Sequence, residues 1–426
     1  MKLVFEKKGG KLAWFAWIAA VVFYLYEYLV RVAPSVMESE LAKQFSASAA
    51  TMGMGVATYY FIYAPLQLFA GIMFDKFGGR TILVPASIIV VVGCLVPIIP
   101  SNSLICVAAG RTLAGIGSSF AFIGVMYLAS VWFYDHRLAF LSGLATSFGI
   151  FGALLGQRPL SFFVDHIGWK MSFVLMAIVG VIVTMLLSSH IPDTPHWELE
   201  KRAAISDAPS IKNFLSGLIS VCKNRQTWII GAVGACLYAP LVIFGDLWGV
   251  RYVETSFAAS KAKAAEAVAM LYIGWLVGGP LVGLLSDIVK CRRKLLIGGC
   301  FLSTILFAAA LLLPIKTIFT FGVFLFLAGV CSSPEVICFV ASLESNAAEA
   351  KGSAVAVVNM IVMLVGGLFQ PIVGWLMELN FSHTAHGVSH EAFRNALLTM
   401  PILTFVGMML ALSIKREAGE GKFIGV

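Results

Sequence analysis

The sequence predicts an all-α polytopic membrane protein of twelve transmembrane helices in two pseudo-symmetric six-helix bundles, and three observations predict it. The first is composition: of 426 residues, 59% are apolar and 12% charged. Soluble proteins average about 45–50% apolar and about 25% charged, and one soluble core cannot hide the difference. The second is that twelve stretches are long enough to cross about 30 Å of hydrocarbon at about 1.5 Å per residue. The third is a repeat at half the chain length.

The expected spans are 12–33, 51–74, 81–100, 103–132, 138–164 and 170–190, then 226–250, 266–288, 294–313, 317–342, 352–377 and 394–414. The first follows "MKLVFEKKGG", whose lysines ahead of an apolar run resemble a signal peptide. No small-x-small cleavage site follows the run, so a retained helix is expected, ending at Pro34. Between the two sets lies the longest polar segment, in which Ile211, Phe214, Leu215, Leu218 and Ile219 recur at helical spacing. That pattern predicts an amphipathic helix on the membrane surface. The organisation is therefore an N-terminal bundle at 1–190, a central loop at 191–225 and a C-terminal bundle at 226–426.

Lysine and arginine set the orientation. With both termini in the cytoplasm, the cytoplasmic segments hold 20 of the 30, the opposite side 7, and the spans themselves 3. The net charge of +8 is then topological and gives no reason to expect nucleic acid. The eight cysteines show no C-x-x-C spacing, so buried free thiols are expected in place of disulfides or zinc.

The repeat has three registers. "GIMFDKFGGR" at the end of the second span carries Gly71, Asp75, Lys76, Gly79 and Arg80, and "GLLSDIVKCRRK" at the end of the eighth carries Gly283, Asp287 and Arg292. The aspartates are 212 residues apart, as are Arg158-Pro159-Leu160 and Gln370-Pro371-Ile372, while "GIGSS" and "GVCSS" are 214 apart. Two six-helix halves follow. On these motifs, with "RTLAGIG" in the fourth span and "GIFGALLGQRP" in the fifth, the chain resembles the major facilitator superfamily over nearly its whole length. "YAPLQLFAGIMFDKFGGR", "DLWGVRYV" and "GWKMSF" look most like bacterial carriers of anions and organic acids. The resemblance implies a monomeric carrier in the bacterial inner membrane, with a central cavity bordered by the first and fourth spans. The glycines of the fifth-span motif depart from the order common in antiporters, which argues against export.

The loop motif also has a physical reading. Gly71 lets two helices approach, and Asp75 can cap a neighbouring helix or pair with Arg80. Gly71, Asp75, Lys76, Gly79, Arg80, Gly283, Asp287 and Arg292 are thus expected to form a latch that breaks as the carrier alternates. The simpler reading is that Lys76 and Arg80 only hold the loop in the cytoplasm.

A charge at the bilayer centre costs about 2.5–3.5 kcal/mol on insertion scales, so a charged residue within a span needs a partner or a wet cavity. Helix rise places Glu27, Arg31, Arg111 and Arg158 at similar depth, three cations against one carboxylate. Arginine cannot shed its charge, and the missing partner is then an anionic substrate. The structural alternatives are that Arg31 snorkels and that Arg111 pairs with Glu27. Glu27 is the expected proton carrier, because burial favours its neutral form and a nearby arginine its charged form. Asp246 and Glu335, the latter behind Pro334, compete for that role. Of the tyrosines Tyr24, Tyr28, Tyr59, Tyr60 and Tyr63, all but Tyr59 are taken as substrate contacts, with Asn359 and Gln370 as amide contacts; ordinary packing is the alternative. Trp14 and Trp248 are read as interfacial belt residues.

The expected function is a proton-coupled secondary transporter for uptake of a small organic anion, first among them carboxylates, polycarboxylates and carboxylate-type iron chelators. A proton-antiport exporter of drugs or metabolites is the alternative. No Gly-x-Ser-x-Gly or Walker loop suggests an enzyme or an ATP-driven pump, the His-x-x-x-His spacing occurs only at His386–His390, and no cofactor is expected. His383, His386 and His390 form at most a loose metal site and are read as a solvated loop.

Overall fold

The computed structural model describes residues 9–100, 103–134, 137–191, 211–289, 291–347, 350–379 and 390–415. Most of the central loop, His383 and His386 lie outside them. Every regular element among the described residues is helical, as hydrocarbon demands of a chain that must satisfy its backbone within each span. Eleven continuous stretches are long and apolar enough to cross a membrane. One of them, Phe140–His190, runs for 51 residues, about 76 Å as a straight helix. It breaks at Gly168, whose φ of 77° lies in the region that favours glycine. It is therefore two spans, which makes twelve.

Span 1 is Lys11–Phe45, span 2 Ala49–Phe77, span 3 Gly79–Ile98 and span 4 Ile105–Trp132; spans 5 and 6 are the parts of Phe140–His190 before and after Gly168. Span 7 is Arg225–Phe257, span 8 Lys261–Ser286, span 9 Arg292–Leu312, span 10 Ile318–Glu344, span 11 Gly352–Leu379 and span 12 His390–Ala411. Span 1 is longer than expected. Its helix turns at Ala33 and restarts with Pro34 in the first position, where the missing proline N–H is no loss.

The internal repeat is visible in the breaks. Span 4 stops at Ser118 and resumes at Ala121; span 10 stops at Ser332 and resumes at Glu335. Both offsets are 214 residues, the register of "GIGSS" and "GVCSS". Proline explains the second break, and the first occurs without one.

Spans 1–6 pack mainly on one another, as do spans 7–12, and the chief seam between the sets joins span 2 to span 11. Glycine makes that seam tight: a Cβ on Gly53 would lie 2.6 Å from the Gln370 carbonyl oxygen, and one on Gly374 2.3 Å from that of Ala49. Outward-facing apolar side chains such as Ile182, Met185, Phe319 and Ile402 are exposed, as a lipid-facing surface requires. The amphipathic helix forms at Ile211–Lys223 and seats Val221 against Ala350, Ala354 and Val357 near the start of span 11.

The two ends of the molecule differ. On the distal face, away from Gly9 and Lys415, polar contacts tie the two sets of spans together. Arg251 pairs with Glu38 at 2.5 Å, Arg158 with Glu266 at 2.8 Å, and Lys261 with Glu40 and, at 3.2 Å, with Asp165. The Ala50 N–H donates to Glu378 at 2.8 Å. Toward the terminal face, a Cβ added to Gly71 or Gly283 would meet nothing within 4 Å. The molecule is closed at its distal face.

Candidate substrate and proton site

Span 1 places Glu27 and Arg31 one turn apart, with side-chain exposures of 0% and 1%. Arg31 donates from Nε and Nη2 to the same Glu27 oxygen, Oε1, at 2.9 and 2.5 Å. Its other contacts are the hydroxyls of Tyr63 at 3.1 Å and of Tyr59 and Tyr238 at 3.4 Å, with the Tyr28 ring 4.1 Å from Cζ. Arg31 therefore does not snorkel. It is the residue paired with Glu27, and Arg111 is not. The Tyr59 hydroxyl donates to Glu27 Oε1 as well, whereas Oε2 is sealed without a hydrogen-bond partner.

Arg111 lies on span 4, where a Cβ on Gly115 would lie 2.5 Å from the Tyr59 carbonyl oxygen, so spans 2 and 4 touch backbone to backbone. Its Nη1 donates to the Val30 carbonyl at 2.9 Å, and Cζ sits 4.4 Å from the Tyr59 ring centre. Nη2 is buried and has no hydrogen-bond partner among the described residues. A sealed donor on a charged group with nothing to bond costs more than the bond would have contributed.

Asp246 completes the cluster. It lies in Leu241–Trp248, a π-helical turn of span 7 buried along its whole length, and such turns are frequent at functional sites. The phenols of Tyr60 on span 2 and Tyr272 on span 8 donate to its two oxygens. Asp246 interacts electrostatically with Arg31, Arg111 and Glu27. The turn is braced by three bonds from two sides, Gln370 and Gln157. Gln370 donates to the Val242 carbonyl at 2.7 Å, Trp248 Nε1 to the Gln370 carbonyl at 3.1 Å, and Gln157 to the Gly245 carbonyl at 2.9 Å. Trp248, read from sequence as a belt residue, is wholly buried. Trp14 is half-buried against Trp17 and Phe133.

Of the other expected residues, Tyr24 packs edge-on against Tyr28 beneath Phe122. Asn359 donates to Gln67 across the seam. Glu335 is buried at the first position of the Glu335–Glu344 helix, where the helix dipole favours a carboxylate. Arg158 is not in the cluster. Its guanidinium reaches Glu266 with side-chain exposures of 41% and 58%. The layer thus holds two guanidinium groups, Arg31 and Arg111, and two carboxylates, Glu27 and Asp246. The three-to-one excess of cations expected from sequence is replaced by a formally neutral set. Tyr238, Tyr272 and Gln157 belong to the cluster and were not read from sequence. Mid-span position is the one signal they carry.

The motif residues lie toward the terminal face. Asp75, Lys76 and Arg80 are exposed there around Gly78, whose φ is 82°. Arg292 donates to Glu344 at 2.5 Å, a contact between spans 9 and 10 of the same set. The Gly79 Cβ position lies 3.0 Å from Leu128, while the side chain of Asp287 falls outside the described residues.

Twelve spans, a half-length repeat and a buried charge layer between two helix sets define a polytopic carrier fold. Residues 16–371 match the family model described as Major Facilitator Superfamily, and the chain belongs to that superfamily. It is a transporter and not an enzyme. It is 26% identical over 374 residues to a probable nitrate/nitrite transporter of Mycobacterium tuberculosis, covering 84% of this chain and 86% of that one. It is 23% identical to a hexuronate transporter of Bacillus subtilis over 73% of each chain, and 23% identical to a probable sulfoacetate transporter of Cupriavidus necator over 64% of each. A bacterial homolog to the human lysosomal transporter Spinster, solved inward-facing and unoccupied, superposes with a TM-score of 0.75 at 15% identity, covering 95% and 97% of the two chains. A D-xylose-proton symporter does so at 0.66 and 17%, covering 92% and 96%. These two likenesses bear on the fold alone.

Proposed function

We propose that this protein is a proton-coupled carrier for uptake of a small organic anion, working by alternating access, with Arg111 as the anion contact. The observation that carries the proposal is Arg111 Nη2, a sealed guanidinium N–H with no hydrogen-bond partner among the described residues. An anionic oxygen is the acceptor such a donor selects. The relatives named for sulfoacetate, nitrate and hexuronate share only an anionic cargo, and that is the part of their names taken over here.

Coupling follows from charge counting. Arg31, Arg111, Glu27 and Asp246 sum to zero, and a buried layer tolerates little net charge. Entry of a monoanion makes the layer net negative, and one proton on Glu27 or Asp246 restores neutrality. Proton and anion therefore travel together. Glu335, buried nearer the terminal face, is a second proton site on the same path. The carrier sits in a bacterial inner membrane, and lysine and arginine placement supports a cytoplasmic position for both termini, which makes the closed distal face the outer one. The Asp75–Arg80 loop and its repeat at Gly283, Asp287 and Arg292 then serve as latch in the opposite state, when Gly71 and Gly283 come to face another helix. The unit is the monomer.

The test is stabilisation of the purified protein by glucuronate, sulfoacetate and nitrate. At least one raises the unfolding temperature of wild type and none raises that of Arg111→Ala. Equal stabilisation of both proteins by every anion removes Arg111 from the site.

A further inference from the structure

Among the described residues, Tyr59 is the one side chain that touches Glu27, Arg31 and Arg111, three of the four charged groups on which the proposed function rests. Its hydroxyl donates to Glu27 Oε1 and accepts from Arg31 Nε at 3.4 Å, and its ring face lies 4.4 Å from the Arg111 guanidinium carbon. It is fully buried, and its backbone is held by the close approach of Gly115 on the span that carries Arg111. We propose that Tyr59 is the positioning residue that couples anion binding at Arg111 to proton binding at Glu27. This rests on the anion reading of Arg111 and deepens it.

The physical link is polarisation. A cation over a phenol ring draws on its electrons and makes the hydroxyl a better donor, as bonds in a buried chain strengthen one another. With Arg111 Nη2 empty, the full cationic charge bears on the ring and the phenol holds the charged form of Glu27. An anion on Nη2 offsets that charge and weakens the phenol's grip, so Glu27 takes a proton more readily. Linkage makes the effect reciprocal, so a proton on Glu27 tightens the anion at Arg111. This is the sign that co-transport needs. The other groups facing Glu27 are Arg31 and Tyr24 on span 1, Tyr63 on span 2 and Asp246 on span 7. None of them lies over or under Arg111 as Tyr59 does.

The test is the affinity for glucuronate, sulfoacetate and nitrate, each titrated between pH 5.5 and 8.5 into wild type, Tyr59→Phe and Arg111→Lys. In wild type the acid plateau is about tenfold tighter than the alkaline one, within the usual range of coupling between two sites. Tyr59→Phe keeps the ring beneath Arg111, so its acid plateau stays within about threefold of wild type and the gap shrinks below about threefold. Uniform weakening with the gap intact, the mark of a packing role, overturns the proposal, as does a wild-type profile. Should Tyr59→Phe not fold, Arg111→Lys reads the same link: its ammonium keeps a charge for the anion without a plane over the ring, and a wild-type gap there is equally fatal. If wild type binds a probe through Arg111 with no pH gap, the coupling fails and the anion site stands. If no probe binds through Arg111, the anion site itself fails.

Discussion

The two halves of this carrier bury charge differently. Among the described residues, both buried arginines lie in the first six spans, where Glu27 and a shell of tyrosines hold Arg31, and the Val30 carbonyl and the Tyr59 ring hold Arg111. The second six bury Asp246 and Glu335 with no arginine of their own. The repeat makes the contrast sharp, because the 214-residue register sets Leu325 opposite Arg111 and Ala121 opposite Glu335. Related backbones have thus been given opposite chemistry. In the proposed mechanism the first half supplies the fixed cations that face the anion. The second contributes two buried carboxylates, one of which, Asp246, reaches back through Tyr60 to the first half.

Four substitutions break or sharpen this contrast. The largest effect belongs to Glu27→Gln, which strands Arg31 in the core. Loss of one partner of a buried ion pair costs about 3–5 kcal/mol, read as a large fall in unfolding temperature. The double variant Glu27→Gln, Arg31→Gln recovers most of it. Next is Arg111→Lys, which exchanges a planar fork for a point charge. Anion affinity falls about 10–100-fold, the worth of a charge-assisted hydrogen bond, with little change in stability. Glu335→Gln makes in the second half the same exchange that is severe in the first. No side-chain hydrogen bond between Glu335 and another described residue is lost, so stability stays within about 1 kcal/mol; a loss matching that of Glu27→Gln would show that the halves do not differ. The smallest effect is Arg158→Ala. An exposed ion pair contributes about 0–1 kcal/mol, and both stability and anion affinity stay near wild type. Loss of anion binding in that variant would restore Arg158 to the site.

Most of the fold was legible because hydropathy reports span number directly, and the half-length repeat divided the spans into two sets of six. The site was legible in part. Glu27, Arg31 and Arg111 stand out because an ionised side chain inside a span has few explanations. Arg158 and Asp246 exchanged places because depth was counted along straight helices. Span 5 is interrupted at Gly156 and Gln157 before the helix restarts at Arg158, which turns Arg158 toward Glu266 on the distal face. Span 7 widens into a π-turn that carries Asp246 inward. Neither irregularity has a periodic signature. Tyr59, Tyr238 and Tyr272 could not be told from packing tyrosines, since their roles depend on groups 32, 207 and 26 residues away in the chain.

The central claim is that an anion held by Arg111 crosses together with a proton. Its most direct test is uptake of glucuronate, sulfoacetate and nitrate into proteoliposomes with a pH gradient imposed, acid outside. Wild type accumulates at least one of them above the level reached without the gradient, a protonophore abolishes the excess, and Arg111→Ala shows none. Accumulation that ignores the gradient, or that survives in Arg111→Ala, contradicts the account.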